Sequence, residues 1–164
     1  MKRKVFTLIL VLSLLMAGCS SEETFETVAD QQILPVSAVM REILVELPDT
    51  AASPTVESDS ARLYLCEDYE ISIQILEGGD LNATVQTLSG YEVEKLTVME
   101  SSRDSYDCYE FVWACAGETG DQVGRGMILD DGNYHYCVSI LGDADTARAN
   151  RVYWDEMFGS VTLS

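Results

Sequence analysis

Basic residues are scarce in this chain of 164, and three of its 10 lie among the first four positions. From Cys19 onward there are 7 bases against all 28 acids, a net charge of −21. Such a surface repels polyanions and anionic headgroups. No nucleic-acid partner is therefore expected, and the body of the chain should stand off a membrane surface. Histidine is rarer still: His135 stands alone, so any Ser-His-Asp or Cys-His site has to use it. Neither CxxC nor HxxxH occurs, which removes the short-spaced zinc clusters. Asp130, Asp131, Asn133, Asp143 and Asp145 offer oxygen ligands without the spacing of an EF-hand. No phosphate-cradling loop and no internal repeat is present, and no cofactor or metal is expected. Long apolar runs are missing as well. The longest, Val5 to Met16, is broken by Thr7 and Ser13 and falls short of the roughly 20 residues of a membrane-spanning helix.

That short run sits in a telling place. Met1-Lys2-Arg3-Lys4 supplies positive charge ahead of it, and Leu15-Met16-Ala17-Gly18-Cys19 ends it with two small residues and a cysteine. The pattern resembles bacterial lipoprotein signal peptides, with Met16 in the position where Leu is usual. It implies a signal peptide over residues 1–18 and a Cys19 that carries acyl chains. Two or more chains at roughly 0.8 kcal/mol per buried CH₂ hold a protein stably on the extracytoplasmic face of the cell membrane. Residues 19–38 read as the lipidated cysteine and a polar tether, averaging on the order of 25 Å end to end. Residues 39–164 read as a single domain.

Within that domain, period-two alternation predicts a strand from Met40 to Leu47, ended by Pro48-Asp49, then a loop over Thr50–Ser60. Arg62–Cys66 and Glu70–Leu76 form a hairpin around Glu67-Asp68-Tyr69. Asp80 caps a helix with the apolar stripe Leu81, Val85, Leu88, and Gly90 suits its end. A strand over Glu92–Met99 and a loop over Ser101–Ser105 follow. Tyr106–Ala116, Gln122–Leu129 and Asn133–Leu141 form a three-stranded meander, with Asp131-Gly132 as a type I′ turn. A final helix runs from about Ala144 to Phe158, its inner face marked by Ala147, Asn150, Trp154 and Met157/Phe158. Gly159 stops it, and Val161-Thr162-Leu163 adds a last strand. The fold class is α+β, an antiparallel sheet with a C-terminal meander packed against two helices.

This order resembles the PsbP-like fold, which includes photosystem extrinsic PsbP proteins, a nuclear Ran-binding protein and envelope lipoproteins of the DcrB type. The residues that carry the resemblance are Leu47-Pro48, Leu88-Ser89-Gly90-Tyr91 and Tyr109-Glu110-Phe111-Val112-Trp113. Asp130-Asp131-Gly132-Asn133-Tyr134-His135-Tyr136 and Trp154-Asp155-Glu156-Met157-Phe158-Gly159-Ser160-Val161 complete the set. The likeness covers roughly Val39 to the C-terminus and contains no catalytic signature. It implies a non-enzymatic binding or assembly role, by analogy of fold alone.

Four cysteines remain after Cys19. An even count in an exported chain suggests disulfides, while a strict anaerobe leaves thiols. Cys108 and Cys115, seven residues apart on one strand, are separated by roughly 23 Å and face opposite ways. If Cys66 pairs, it pairs with one of those two. Two functional readings follow. The first is a membrane-tethered module that binds an envelope protein or a small ligand in a groove between sheet and last helix, with Tyr109, Trp113, Tyr134, Tyr136, Tyr153 and Trp154 as candidate lining and Trp113, Tyr134, Tyr136 and Trp154 as the ligand-binding set. The alternative is an envelope hydrolase using His135, with Cys137 two residues on, or paired carboxylates such as Glu67/Asp68 or Asp130/Asp131. A packed strand accounts for His135 equally well, because catalysis needs geometry before pKa.

Overall fold

Alternation at the centre of the chain sets the architecture. The computed structural model describes residues 39–117 and 120–164; the expected signal peptide, Cys19 and the expected tether through residue 38 lie outside the described residues. The elements in order are β1 (Ile43–Leu44), a 3₁₀ turn (Asp49–Ala51), β2 (Val56–Glu57), β3 (Ala61–Leu65) and β4 (Tyr69–Glu77). Helix α1 (Leu81–Ser89) and a second 3₁₀ turn (Val93–Lys95) come next. The meander is β5 (Val98–Arg103), β6 (Tyr106–Ala116), β7 (Asp121–Asp130) and β8 (Tyr134–Asp143). Helices α2 (Ala144–Ala149) and α3 (Arg151–Ser160) and strand β9 (Thr162–Leu163) close the chain. Seven strands form one sheet in the order β2-β3-β4-β8-β7-β6-β5, and β1 pairs with β9 beside it. Every pair is antiparallel. The chain thus leaves β4, crosses through α1 to the far edge and meanders back to β4. The α+β class with an antiparallel sheet is the one the sequence predicts. Among the described residues no helix is long and apolar enough to cross a membrane.

Strand parity sorts the core into two layers. Ile71 and Ile73 of β4, Met127 and Leu129 of β7, and Tyr136, Val138 and Ile140 of β8 face Trp154, Met157 and Phe158 of α3. Phe111 and Trp113 of β6, Ile128 of β7 and Cys137 of β8 face Val85 of α1. Under α1 two glycines make room for rings. A Cβ on Gly124 would stand 2.1 Å from the Trp113 ring, and one on Gly126 would stand 2.6 Å from Phe111. The helix above them begins where expected, with the Asp80 carboxylate accepting from the Ala83 N–H at 2.9 Å. It ends at Gly90 with φ 78°, a left-handed cap that lacks the Cβ penalty.

Several predicted elements are redrawn. The strand expected over Met40–Leu47 keeps its alternation, with Ile43 buried and Val45 and Leu47 packed on the core, but its ladder is only Ile43–Leu44. Its partner β9 has two residues to offer. The expected loop at Thr50–Ser60 contains β2, which pairs with β3. The strand expected at Glu92–Met99 opens as a 3₁₀ turn, and β5 runs on through the expected loop to Arg103. Asp104 (φ 50°) and Ser105 (φ 75°) then make the tight turn into β6. Two successive positive φ values are the type I′ requirement, and they occur here and not at Asp131-Gly132. There, of the two residues, only Gly132 (φ 86°) is positive, and the loop closes with the Asp131 N–H on the Tyr134 carbonyl at 3.3 Å.

The last helix is two helices. Asp143 caps α2 by accepting from Asp145 and Thr146 N–H groups, and the chain breaks at Asn150. Gly159 does not stop α3, which continues to Ser160. Its terminal carbonyls are met by Arg103, which donates to Phe158 (2.6 Å) and Val161 (3.4 Å), and by the Ser160 hydroxyl on Met157 (2.7 Å). Cys66, Cys108, Cys115 and Cys137 are all free thiols, so the disulfide suggested by their even number is not formed. Cys108 and Cys115 do lie in opposite layers, as their odd spacing requires.

Candidate functional site

The four aromatic residues expected to line one groove occupy separate places. Trp113 lies under α1, on the face opposite Trp154, with its ring 5.7 Å from Phe111. Tyr136 is 1% exposed, and its hydroxyl donates to Asp131 Oδ2 (2.9 Å) and accepts from the Arg41 N–H (3.2 Å). Tyr134 meets the Tyr136 ring edge-on at 6.2 Å. Trp154 sits at the other end of the same face, edge-on to Tyr69 at 6.1 Å and against Gly142. Tyr136 and Gly142 are six residues apart on β8, roughly 20 Å. Parity and strand length, not composition, decide which rings meet.

His135 comes closest to a catalytic arrangement. Its Nδ1 is 2.7 Å from the Thr84 hydroxyl, and its Nε2 is 3.4 Å from Asp130 Oδ2. Thr84 is 4% and His135 1% exposed, so neither side chain presents surface to a substrate. The pair pins α1 to β8 with each buried polar atom partnered. Cys137, on the same strand face, is fully buried; burial pushes its thiol up to about 12, which leaves no thiolate for attack.

The carboxylate pairs divide between turn closure and surface. Asp130 accepts from the Gly132 N–H at 2.7 Å, and Asp131 accepts from Asn133 (2.9 Å) and Tyr134 (2.8 Å). Burial works against charge on Asp131, but those two N–H groups, the Tyr136 hydroxyl and the Arg41 charge outweigh it and hold the carboxyl below its ordinary range. Glu67 and Asp68 are exposed in the β3–β4 turn. Among the described residues no group of three His, Cys, Asp or Glu side chains is placed to hold a metal.

What sequence reasoning missed is the setting of Trp154. Its Nε1 is, among the described residues, the one buried side-chain polar atom without a hydrogen-bond partner. Two cavities flank the ring. One, about 440 Å³, lies toward β5–β7 and has Met99, Val112, Val123 and Ala147 as apolar walls. Arg125 in its wall bonds Glu110 (2.9 Å) and Asp155 (2.5 Å) and lies over the Phe158 ring at 4.4 Å. The other, about 550 Å³, lies toward the β3–β4 turn and is bounded by Tyr69, Tyr153, Asp49, Glu67 and Asp68. The signal available in the sequence was the pair Tyr153-Trp154: on a helix, adjacent aromatics point about 100° apart, so one faces the core while the other looks outward.

No protein-family model and no curated protein matches the chain. Among solved structures it is similar to the solution structure of cyanobacterial PsbP (CyanoP) from Synechocystis sp. PCC 6803. That likeness has a TM-score of 0.48 and 12% identity, over 74% of this chain and 82% of the other. It is also similar to the crystal structure of a protein of unknown function, PA94, from Pseudomonas aeruginosa, described as a putative regulator. There the TM-score is 0.48 with 8% identity, over 74% of this chain and 96% of that one.

Proposed function

We propose that this chain is a membrane-tethered envelope lipoprotein, lipidated at Cys19, that acts as a non-enzymatic binding module through the cavities beside Trp154. The observation that carries the binding half of this reading is the unpartnered indole N–H of Trp154. A buried donor without an acceptor costs about 1–3 kcal/mol, and a phenyl ring in its place would avoid that cost. The ring that carries this atom forms part of the wall of two cavities of ligand size. Support for the absence of catalysis is chemical: the Thr84–His135–Asp130 contacts are structural, and the Cys137 thiol is protonated at neutral pH. The anchor rests on the residue pattern around Cys19.

Each half has its own test. Cys19→Ser should move the protein from the membrane to the soluble fraction, and an unlipidated native N-terminus found by intact-mass analysis would remove the anchor. For binding, the full chain is titrated with a small-molecule fragment panel while the two tryptophan indole N–H resonances are followed by NMR. Ligands should shift Trp154 and leave Trp113, on the opposite face, in place. Hydrolysis of a wall or peptide substrate that disappears in folded His135→Ala would overturn the reading in favour of the hydrolase.

A further inference from the structure

The larger cavity beside Trp154 has a more definite chemistry than the groove on its other side. Tyr69 and Trp154 form its inner wall, edge to face at 6.1 Å, and Tyr153, 63% exposed, stands at its rim. The Tyr69 hydroxyl is hydrogen-bonded to the Thr50 hydroxyl, which fixes that ring against the Asp49–Ala51 turn. Asp49, Glu67 and Asp68 surround the mouth, all exposed. Among the described residues none of the three is in an ion pair, and no Lys, Arg or His lines the cavity.

Aromatic faces carry negative quadrupole density, the same sign as the rim carboxylates, and no cationic side chain lines the cavity to offset either. A compact hydrated metal ion does not suit the space: no chelating cluster exists among the described residues, and about 550 Å³ is far more than an ion fills. A cation with an apolar body does suit it. We infer that this cavity binds a small organic cation, a quaternary ammonium or methylated amine whose charged head sits against Tyr69, Tyr153 and Trp154 within reach of the rim carboxylates. The inference rests on the binding reading above and narrows its ligand; an ammonium head cannot accept from the Trp154 N–H, so the acceptor is an oxygen on the ligand's body, as in choline. Such a head group occurs both as a free cation and on a phosphate ester. The rim carboxylates repel a phosphate, which favours the free cation.

The test titrates the full chain with choline, phosphocholine and 3,3-dimethylbutan-1-ol, the neutral counterpart of choline, following the Trp154 and Trp113 indole resonances and the heat of binding. Choline should bind, phosphocholine more weakly, and the neutral alcohol least, with choline affinity falling as salt rises. Tyr153→Ala, an exposed position, should weaken choline about two- to fivefold. Glu67→Gln combined with Asp68→Asn should weaken it further and flatten the salt dependence. Circular dichroism of both variants confirms the fold. Equal binding of the neutral alcohol, or choline binding untouched by both variants, overturns the inference, and phosphocholine binding more tightly than choline overturns the free-cation assignment. If choline leaves Trp154 unmoved while a neutral sugar shifts it, the cation inference falls and the binding reading stands. If no member of the fragment panel shifts Trp154, both fall.

Discussion

Under α1 the sheet packs ring on glycine, with Trp113 across Gly124, Phe111 across Gly126, and the Thr84–His135 hydrogen bond closing the layer. Under α3 the same sheet meets another tryptophan, yet Trp154 has an unpartnered N–H and a cavity on either side. The two faces share strands β4, β6, β7 and β8 and differ in how completely the covering helix fits. A fully satisfied layer rigidifies the sheet. The less complete one leaves concave space that the rigid strands hold open, which is where ligand sites form.

The largest test of that contrast is on the closed face. Trp113→Ala should cost about 3–5 kcal/mol, because the ring fills the space over Gly124 and no neighbour can follow it. Gly124→Ala should cost about 1–3 kcal/mol for the opposite reason: a Cβ 2.1 Å from the indole forces ring or strand to move. Urea midpoints at constant m-value read both effects. Ligand-induced shifts at Trp154 should survive in Gly124→Ala under native conditions. Loss of those shifts without global unfolding would mean that the two faces are not independent.

Next comes the polar contact that closes the same face. Thr84→Val removes the hydroxyl 2.7 Å from His135 Nδ1 and keeps the shape, leaving a buried ring nitrogen unpaired. A loss of about 1–3 kcal/mol is expected in urea unfolding, with no change in binding at Trp154. A drop in turnover of any envelope substrate, with stability unchanged, would instead make the pair catalytic.

A smaller, pH-dependent effect belongs to the α3 face. The Asp131 carboxyl is held below its ordinary range, with burial opposing the charge and the Tyr134, Asn133, Tyr136 and Arg41 interactions prevailing. A depressed folded pKa contributes stability that is present above the unfolded value, near 3.9, and lost as pH falls through the folded value. Asp131→Asn should therefore cost about 1 kcal/mol at neutral pH and progressively less below about pH 4. Urea midpoints of both proteins at the two pH values check it; a gap that widens in acid would reverse the assignment.

How much of this was legible in the sequence follows from the range of each interaction. The meander, the capped helix α1 and the α+β class depend on nearest-neighbour alternation and on local caps such as Asp80 and Gly90, and all were visible. The turn at Asp104-Ser105 was not, because neither residue is the glycine that positive φ favours. The short β1 was over-read because its length is set by β9, more than 110 residues away. The aromatic site failed for a related reason. Trp113 and Trp154 have similar chemistry, and only the registers of β6, β7 and β8, together with the break at Asn150, put them on opposite faces. Tyr153 was one aromatic candidate among several, and only its place next to Trp154 on α3 sets it at the cavity rim.

The smallest expected effect sharpens the comparison most. Trp154→Phe removes the indole N–H that has no partner, a relief of about 1–3 kcal/mol, and also removes part of a ring that packs on Tyr69 and Gly142. The lost packing is of similar size and opposite sign, so stability should stay within about 1 kcal/mol of the parent. Trp113→Phe makes the same chemical change on the closed face, where the emptied space over Gly124 is enclosed by Phe111 and α1. It should cost about 1–2 kcal/mol with no corresponding relief. The difference between the two substitutions, measured side by side in urea, isolates the penalty held at Trp154. Equal losses would show that the ring is ordinary packing, and the binding assignment of both cavities would lose the observation on which it stands.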